Sequence, residues 1–312
     1  MDTKPRLLRF SFFLLAAPAV WAGFHQHLTV MEAASAIGSN QLSPTVMETE
    51  GNAIATSQGQ IIAQQKPASS GQVKQGEVYK LMTGGATRTR QSSAVRAKTN
   101  PRTDLIPRDI LTTDSNAKAE ILFKQQDTIV RLGESTSFVF PEGLREYQLN
   151  NGTIVSMIRP GKGGGTVKTP QASVVARGTG MYIQQCSDRK VALFAILTNN
   201  NAEVEPTRVV NGRGDRVSLR AGQLVRVVDG TIQSVQTFNL RSFYQNNPMG
   251  AGLGPNQENV VNESPTDVQP VFREVRQETI AAVNGQSEGS FDFPNGIPNV
   301  CGNGQAPVRG LW

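Results

Sequence analysis

The sequence contains few of the residues on which most catalytic and metal sites depend. Its 312 residues include two histidines and two cysteines, and aromatic residues make up 6%. No histidine follows His27, so a Ser-His-Asp arrangement has no imidazole there to move a proton. Zinc and iron–sulfur centres need more cysteine and histidine, and no aromatic floor for a sugar accompanies the scattered carboxylates Asp104, Asp109 and Asp114. We therefore expect no enzymatic activity, no metal and no cofactor.

Long hydrophobic runs are also missing, apart from a short one near the start. Three basic residues precede the apolar run 10–21, and Val20 and Ala22 stand at the −3 and −1 positions of a cleavage site. The run is too short to cross about 30 Å of hydrocarbon as a helix. Residues 1–22 therefore predict a signal peptide and a periplasmic or otherwise exported protein, with an uncleaved anchor as the alternative. No later run reaches transmembrane length, so we expect no membrane span after it.

Positive charge is in excess, with 31 Lys and Arg against 25 Asp and Glu and a net charge of +6. Such a balance suits an anionic envelope polymer or an acidic protein face. Nucleic acid is a poor partner for an exported chain with no RNP-like or helix-turn-helix pattern. One stretch concentrates the charge and supplies candidate interaction residues, with a solvated loop as the alternative: Arg88, Arg90, Arg96, Lys98 and Arg102.

Composition divides the chain into four parts. The signal peptide is followed at 23–75 by a segment rich in Ala, Ser, Gln, Thr and Gly, which predicts a flexible linker. Residues 76–240 carry short β-branched runs separated by turns, and 241–312 reads as a loosely ordered tail. Within that tail a helix is expected near 271–283, because Pro270 suits a first turn and apolar residues recur on one face.

The region 76–240 predicts an all-β domain. Ala117, Ala119, Ile121 and Phe123 recur with a period of two, as on one face of a strand. Roughly a dozen such strands follow one another with the turn spacing of all-β folds. Two hairpin turns are predicted, at Asn151-Gly152 and at Asp229-Gly230. A closed barrel, a two-sheet sandwich and a β-solenoid all satisfy this pattern.

The two cysteines, Cys186 and Cys301, allow one disulfide. Export would make it chemically permissible, and the closed loop would exceed 100 residues. The alternative is two unpaired thiols, one beside a strand and one in the tail.

Several segments together resemble the FecR domain family. The central signature is KTPQASVVARGTGMYI at 168–183, and further similar segments are DILTT at 109–113, KAEILF at 118–123, TIVRLGESTSFVF at 128–140, YQLNNGTIV at 147–155 and LRAGQ at 219–223. The resemblance spans about 105–228. AILTNN at 195–200 and FNLRSFY at 238–244 further resemble exported FecR-domain proteins typical of cyanobacteria.

The resemblance implies a non-catalytic, exported β module, either solenoid-like or a sandwich. In the family's iron-uptake regulators, the periplasmic part contacts the signalling domain of an outer-membrane receptor, and a cytoplasmic anti-sigma segment relays the result. This chain is expected to lack that segment, so what carries over is recognition by a β-surface, for example by strand addition. Arg177 of the signature either pairs with a carboxylate across the sheet or presents its guanidinium to a partner.

The function expected from these features is that of a protein-binding or envelope signalling-accessory module. Its partner would be an envelope protein, such as an outer-membrane receptor, or an anionic envelope polymer. The alternative is a structural protein that binds cell-envelope polysaccharide or peptidoglycan.

Overall fold

The computed structural model describes residues 76–90, 96–140, 142–143, 145–177, 180–199, 201–207 and 215–302. The predicted signal peptide at 1–22 and the predicted linker at 23–75 lie outside these residues. The described residues all belong to one compact unit that begins after residue 66.

Strands dominate the described part of the chain. Numbered in chain order, they are β1 (Gly76–Thr83), β2 (Ala86–Thr89), β3 (Arg96–Lys98), β4 (Thr103–Leu105), β5 (Ile110–Thr113), β6 (Lys118–Phe123), β7 (Thr128–Leu132), β8 (Ser137–Val139), β9 (Glu146–Ile158), β10 (Gly165–Lys168), β11 (Ala172–Ala176), β12 (Gly180–Cys186), β13 (Val191–Ile196), β14 (Ala202–Pro206), β15 (Val217–Leu219), β16 (Gln223–Val228), β17 (Thr231–Ile232) and β18 (Gln236–Thr237). Three helices follow, α1 (Leu240–Asn246), α2 (Glu258–Asn262) and α3 (Gln269–Gly285), and short 3-10 turns lie at Lys124–Gln126 and Pro248–Gly250. The predicted all-β domain with a C-terminal helix is confirmed.

The strands form two sheets that share one strand. Sheet 1 has the order β4-β1-β6-β7-β9-β12-β13-β16, and β17 and β18 both pair with the other side of β16. Sheet 2 has the order β3-β2-β5-β8-β9-β10-β11-β14-β15. The described strand pairings are antiparallel except that of β9 with β10. The two sheets pack face to face, so the fold is a sandwich and not a solenoid.

The 13-residue strand β9 passes from one sheet to the other. Its first half pairs with β8 and β10 in sheet 2, and its second half pairs with β7 and β12 in sheet 1. The hairpin predicted at Asn151-Gly152 is therefore wrong, because both residues lie within this strand. Gly152 has φ of +95°, and a Cβ there would lie 2.4 Å from the Cα of Thr136. The glycine bends the strand at the crossing instead of ending it. The second predicted turn, Asp229-Gly230, does join the antiparallel strands β16 and β17.

The core between the sheets is built from alternate residues of each strand. Ala119, Ile121 and Phe123 of β6 point into it, as their period of two predicts. Leu111 of β5 and Phe138 of β8 meet them from sheet 2. Neighbouring ring centroids are 5.1–6.0 Å apart in an aromatic group formed by Phe123, Phe138, Phe140 and Tyr147.

The opposite face of sheet 1 is buried as well, beneath residues 240–302, which we call the cap. Side chains of sheet 1 that contact the cap include Leu122, Ile129, Val155, Tyr182 and Leu193. The cap contributes apolar side chains that include Phe243, Tyr244, Leu253, Phe272 and Val275. Sheet 1 is thus the middle layer of three, which explains why its strands β6, β12 and β13 are buried on both faces.

The described part of the predicted loose tail is packed. Helix α3 extends the helix expected at 271–283 and buries Phe272, Val275 and Thr279 on one face. Turn-forming residues between the helices find internal partners, as when Gln257 accepts hydrogen bonds from the backbone of Gly252 and Gly254. Among the described residues, no helix is long and apolar enough to cross a membrane.

Two arginines connect sheet 1 to the cap, Arg131 through hydrogen bonds to two cap carbonyls and Arg159 through an ion pair. Arg131 of β7 pairs with Glu120 of β6 at 2.5 Å, and both side chains are almost fully buried. At the end of β9, Arg159 forms a bidentate pair with Glu274 of α3, with N–O distances of 2.7–3.0 Å. No sequence motif singles out these residues.

Candidate functional site

The predicted basic stretch lies at one edge of sheet 2. Arg88 is on β2, and Arg96 and Lys98 are on β3, which among the described strands pairs with β2 alone. Arg102 is exposed in the turn before β4, with φ of +71°. The side chains of Arg96 and Lys98 lie outside what the structure describes. The stretch is therefore placed on an edge strand and its flanking turn, where strand addition would occur.

Arg90 has a role in the fold. Its Nε and Nη2 donate to the two carboxylate oxygens of Asp109 at 3.1 and 3.4 Å, and Asp109 is fully buried. The same carboxylate accepts a hydrogen bond from the backbone of Ile106 at 3.1 Å. Because the buried carboxylate depends on its guanidinium partner, Arg90 is not available to a ligand without cost to the fold. Arg88 has fewer contacts than Arg90: its Nη1 donates a hydrogen bond to the carbonyl of Asp104 at 3.0 Å.

The remaining predicted residue, Arg177, is not part of this edge. It follows β11, which β5, β8, β9 and β10 separate from β2 in sheet 2. Its side chain is exposed, and its backbone N–H donates to the carbonyl of Asn201 at 3.2 Å. The structure thus does not bring Arg177 together with the other predicted arginines.

The structure shows a cleft that the sequence analysis missed. Its volume is about 840 Å³, and it lies where β9 and β12 of sheet 1 meet the last part of the cap. The turns β5–β6, β7–β8 and β12–β13 form one side, and cap residues 246–249 and 295–302 form the other. The volume is within the range of ligand pockets. No motif could have indicated this cleft, because its two sides are more than 50 residues apart in the sequence.

Uncharged polar groups dominate the cleft. Six side-chain amides line it: Asn151, Gln184, Asn246, Asn247, Asn295 and Asn299. Five hydroxyl groups accompany them: Ser115, Ser135, Thr153, Tyr182 and Ser187. The charged lining residues are Lys118, Glu134 and Asp188, and Lys118 pairs with Glu134 at 3.4 Å. Such a lining can donate and accept hydrogen bonds but supplies little net charge.

Tyr182 joins the floor of the cleft to the core beneath the cap. Its ring packs edge-on against Phe243, with centroids 5.5 Å apart. Burial raises the pKa of its hydroxyl, although hydrogen bonds with Asn247, Thr153 and Gln184 act in the opposite direction. Tyr182 is therefore neutral at physiological pH.

A disulfide between Cys186 and Cys301 closes one end of the cleft. Cys186 is the last residue of β12, Cys301 lies in the cap, and their Cα atoms are 5.4 Å apart. Beside it, Gln184 accepts a hydrogen bond from the backbone of Val300 at 3.1 Å. The bond thus holds the final described part of the cap against sheet 1.

We expect replacement of both cysteines by serine to lower the free energy of unfolding by about 2–4 kcal/mol, since the bond closes a loop with a sequence separation of 115. Denaturant unfolding of the oxidised protein and of the variant measures the difference. Wild-type protein treated with reductant is the control and should match the variant. Equal stability of the oxidised protein and the variant would show that the disulfide does not restrict the unfolded chain.

The described residues contain no group of three or more His, Cys, Asp or Glu side chains placed to hold a metal ion. The cleft carries two carboxylates, Glu134 and Asp188, both on the side formed by the turns of the sheets, and Glu134 is engaged by Lys118. The arrangement suits binding through hydrogen bonds.

Residues 109–233 match the family model described as FecR protein. The matched segment runs from β5 to β17, so it includes strands of both sheets and ends before the cap. This match confirms the resemblance for the domain. No curated protein matches the chain.

Two solved structures are similar to the chain. They are crystal structures at 2.50 and 1.65 Å resolution of a proposed anti-sigma factor from Parabacteroides distasonis ATCC 8503. Each is 14% identical, with a TM-score of 0.36 and coverage of 44% of this chain. The alignments cover 64% and 65% of those chains, slightly less than two thirds.

Proposed function

We propose that this chain is an exported, non-catalytic module that binds an envelope protein and acts as an accessory in envelope signalling. The match of residues 109–233 to the FecR family carries the proposal. That family's periplasmic part contacts outer-membrane receptors, and an outer-membrane receptor is the partner we favour. We also favour a cyanobacterial type of FecR-domain protein, on the strength of the segments at 195–200 and 238–244.

The disulfide supports export. Disulfides form and persist in oxidising compartments such as the periplasm, and they are rare in the cytosol. Residues 1–22 have the charge and hydrophobicity pattern of a signal peptide.

The sandwich supports binding through sheet 2. The cap covers sheet 1, whereas side chains on the outward face of sheet 2 are exposed, including Val175 at 47%. The same sheet ends at β3, beside the exposed Arg102. A partner with an extended acidic segment would find both a strand edge and positive charge at this corner.

The charge at this corner can be tested while the buried Arg90–Asp109 pair is left intact. We expect the double substitution Arg88→Glu and Arg102→Glu to reduce capture of the partner about tenfold, because reversing charges at an interface slows association and creates repulsion. Arg90 is left intact because it neutralises buried Asp109. The measurement is the amount of each envelope protein retained by the tagged full-length chain from solubilised envelopes, quantified by mass spectrometry.

The matched control for these substitutions is Arg241→Glu, which reverses an exposed charge on α1 of the cap. Wild-type protein should be recovered from the periplasmic fraction, and the control should retain the same proteins as wild type. Equal capture by the double variant would exclude the basic corner. Recovery only from the cytoplasmic fraction, or retention of no envelope protein, would contradict the proposed function.

A further inference from the structure

The cleft beside the disulfide offers hydrogen bonds from side chains and not from strand edges. Both strands on its floor are fully paired, β9 with β7 and β12, and β12 with β9 and β13. A peptide could not extend sheet 1 here by adding a strand, because no backbone edge faces the cleft. A ligand must instead be recognised by amide and hydroxyl side chains.

Several of these amides are held in one orientation by the fold. The Asn299 Oδ1 accepts hydrogen bonds from the backbone of Cys301 at 2.9 Å and of Gly302 at 3.1 Å. It also accepts one from Gln184 Nε2 at 3.3 Å, while Gln184 Oε1 accepts from the backbone of Val300. Within the described residues, the amide nitrogen of Asn299 donates no hydrogen bond. Its donor is thus oriented in advance, which reduces the entropy lost on binding.

Two more amides, of Asn246 and Asn295, add hydrogen-bond donors and acceptors at the cleft surface. Asn246 donates from Nδ2 to Ser242 at 3.0 Å, which leaves its carbonyl oxygen as an acceptor. Asn295 is exposed and makes no side-chain hydrogen bond to any described residue. The opening therefore offers both donors and acceptors, as recognition of hydroxyl groups requires, because each hydroxyl both donates and accepts.

Charge and apolar surface narrow the ligand class further. Lys118 is the one cation among the described lining residues and pairs with Glu134, and the third charged residue, Asp188, is acidic, so the cleft lacks the cluster of cations that a phosphate or a polyanion needs. Pro248, Met249 and Ile297 interrupt the polar lining with small apolar surfaces. This combination fits a molecule with many hydroxyl groups and weakly apolar C–H faces.

We propose that the cleft between sheet 1 and the cap is a binding site for a neutral oligosaccharide. The site is separate from the basic corner of sheet 2, so this inference does not depend on the protein-binding role proposed above. The disulfide holds Asn299 and its neighbours in place, and it forms part of the wall of the site. Neutral glycans of plain hexoses and glycans of N-acetylated amino sugars share the required chemistry.

The test uses the full-length disulfide-bonded protein and isothermal titration calorimetry with defined probes. The neutral probes are tetrasaccharides of glucose, mannose and galactose and the tetramer of N-acetylglucosamine, and the charged comparison is tetragalacturonate. We expect saturable binding of at least one neutral probe and binding of the charged one at least about tenfold weaker, a difference of about 1.4 kcal/mol. The preferred neutral probe distinguishes a plain glycan from one related to peptidoglycan.

Blocking the cleft provides the decisive variant. Ser115 is exposed in the β5–β6 turn at the cleft, and Ser115→Trp should abolish binding by filling the opening. The matched control is Ser234→Trp, an exposed serine that does not line the cleft, and its affinity should equal that of wild type. Equal binding by the two tryptophan variants would overturn the assignment.

A second pair of variants removes hydrogen bonds without adding bulk. Asn246→Ala with Asn295→Ala should weaken binding about tenfold, whereas Asn259→Ala on α2 should leave it unchanged. Failure of every neutral probe to bind would overturn the proposal. The proposal would also be overturned if uncharged peptides bound instead of sugars and if Ser115→Trp abolished that binding. Either result would leave capture of envelope proteins at the basic corner unaffected, so the two proposals fail independently.

Discussion

Replacing Arg131 by methionine is expected to lower the free energy of unfolding by about 3–5 kcal/mol, because the change leaves the carboxylate of Glu120 buried without its cation. The guanidinium also donates to the carbonyls of Met249 and Ala251 at 2.7 and 2.9 Å, and it lies 5.7 Å from the centroid of the Phe272 ring. One side chain of sheet 1 therefore contacts two separate parts of the cap. Its removal should loosen the cap before the sandwich unfolds.

Thermal unfolding measures the loss of stability, and limited proteolysis measures the loosening of the cap. For a domain of this size the melting temperature should fall by about 10 °C, with early cleavage within residues 240–302. The double variant Glu120→Leu with Arg131→Met should regain most of the loss, because neither charge of this buried pair remains. Lys168→Met is the surface control, since Lys168 pairs with Glu146 in solvent, and it should change stability by less than about 1 kcal/mol. If Arg131→Met and Lys168→Met lowered the melting temperature by similar amounts, burial of the ion pair would not explain the loss of stability.

The all-β domain was predictable from the sequence because alternation is a local property, but alternation did not distinguish a sandwich from a solenoid or a barrel. In Lys118–Phe123 the order of apolar and polar residues identifies which side chains face the core between the sheets. The same alternation places Glu120 on the other face, but it does not reveal that the cap buries this face. That information lies in Arg131 and in cap residues more than 100 positions further along the chain.

Other differences between the sequence-based predictions and the structure also arise from contacts between residues far apart in the sequence. Asn151-Gly152 has the residues of a tight hairpin, and the positive φ of Gly152 is real. The chain bends there but continues as one strand, because β7, β8, β10 and β12 provide partners on both sides of both halves of β9. Similarly, Arg90 reads as an exposed charge until Asp109 is found buried beside it. The cleft could not be predicted because its amides converge only after the disulfide and the cap are in place.

The four tyrosines lead to the largest expected response to pH. Burial raises the pKa of Tyr79, Tyr147, Tyr182 and Tyr244, and for Tyr79 the nearby charge of Glu120 raises it further. These are all the tyrosines in the chain. In the unfolded chain each phenol has a pKa of about 10, so above that pH the unfolded state releases protons that the folded state retains. The stabilisation is fully present below about pH 10 and is lost as pH rises further.

At about pH 11 we expect the free energy of unfolding to be about 5–6 kcal/mol lower than at about pH 8 through these four groups, roughly 1.4 kcal/mol for each. Denaturant unfolding across this range measures the loss, and ultraviolet absorbance of phenolate should appear together with unfolding. Tyr147→Phe keeps the ring among Phe123 and Phe138 but removes one phenol, whose hydroxyl donates to Gln126 at 3.0 Å. Its pH-dependent loss should be about three quarters of that of wild type. Phenolate formation with midpoints near pH 10 in protein that is still folded would contradict this account, because burial would then impose no cost on the charged form.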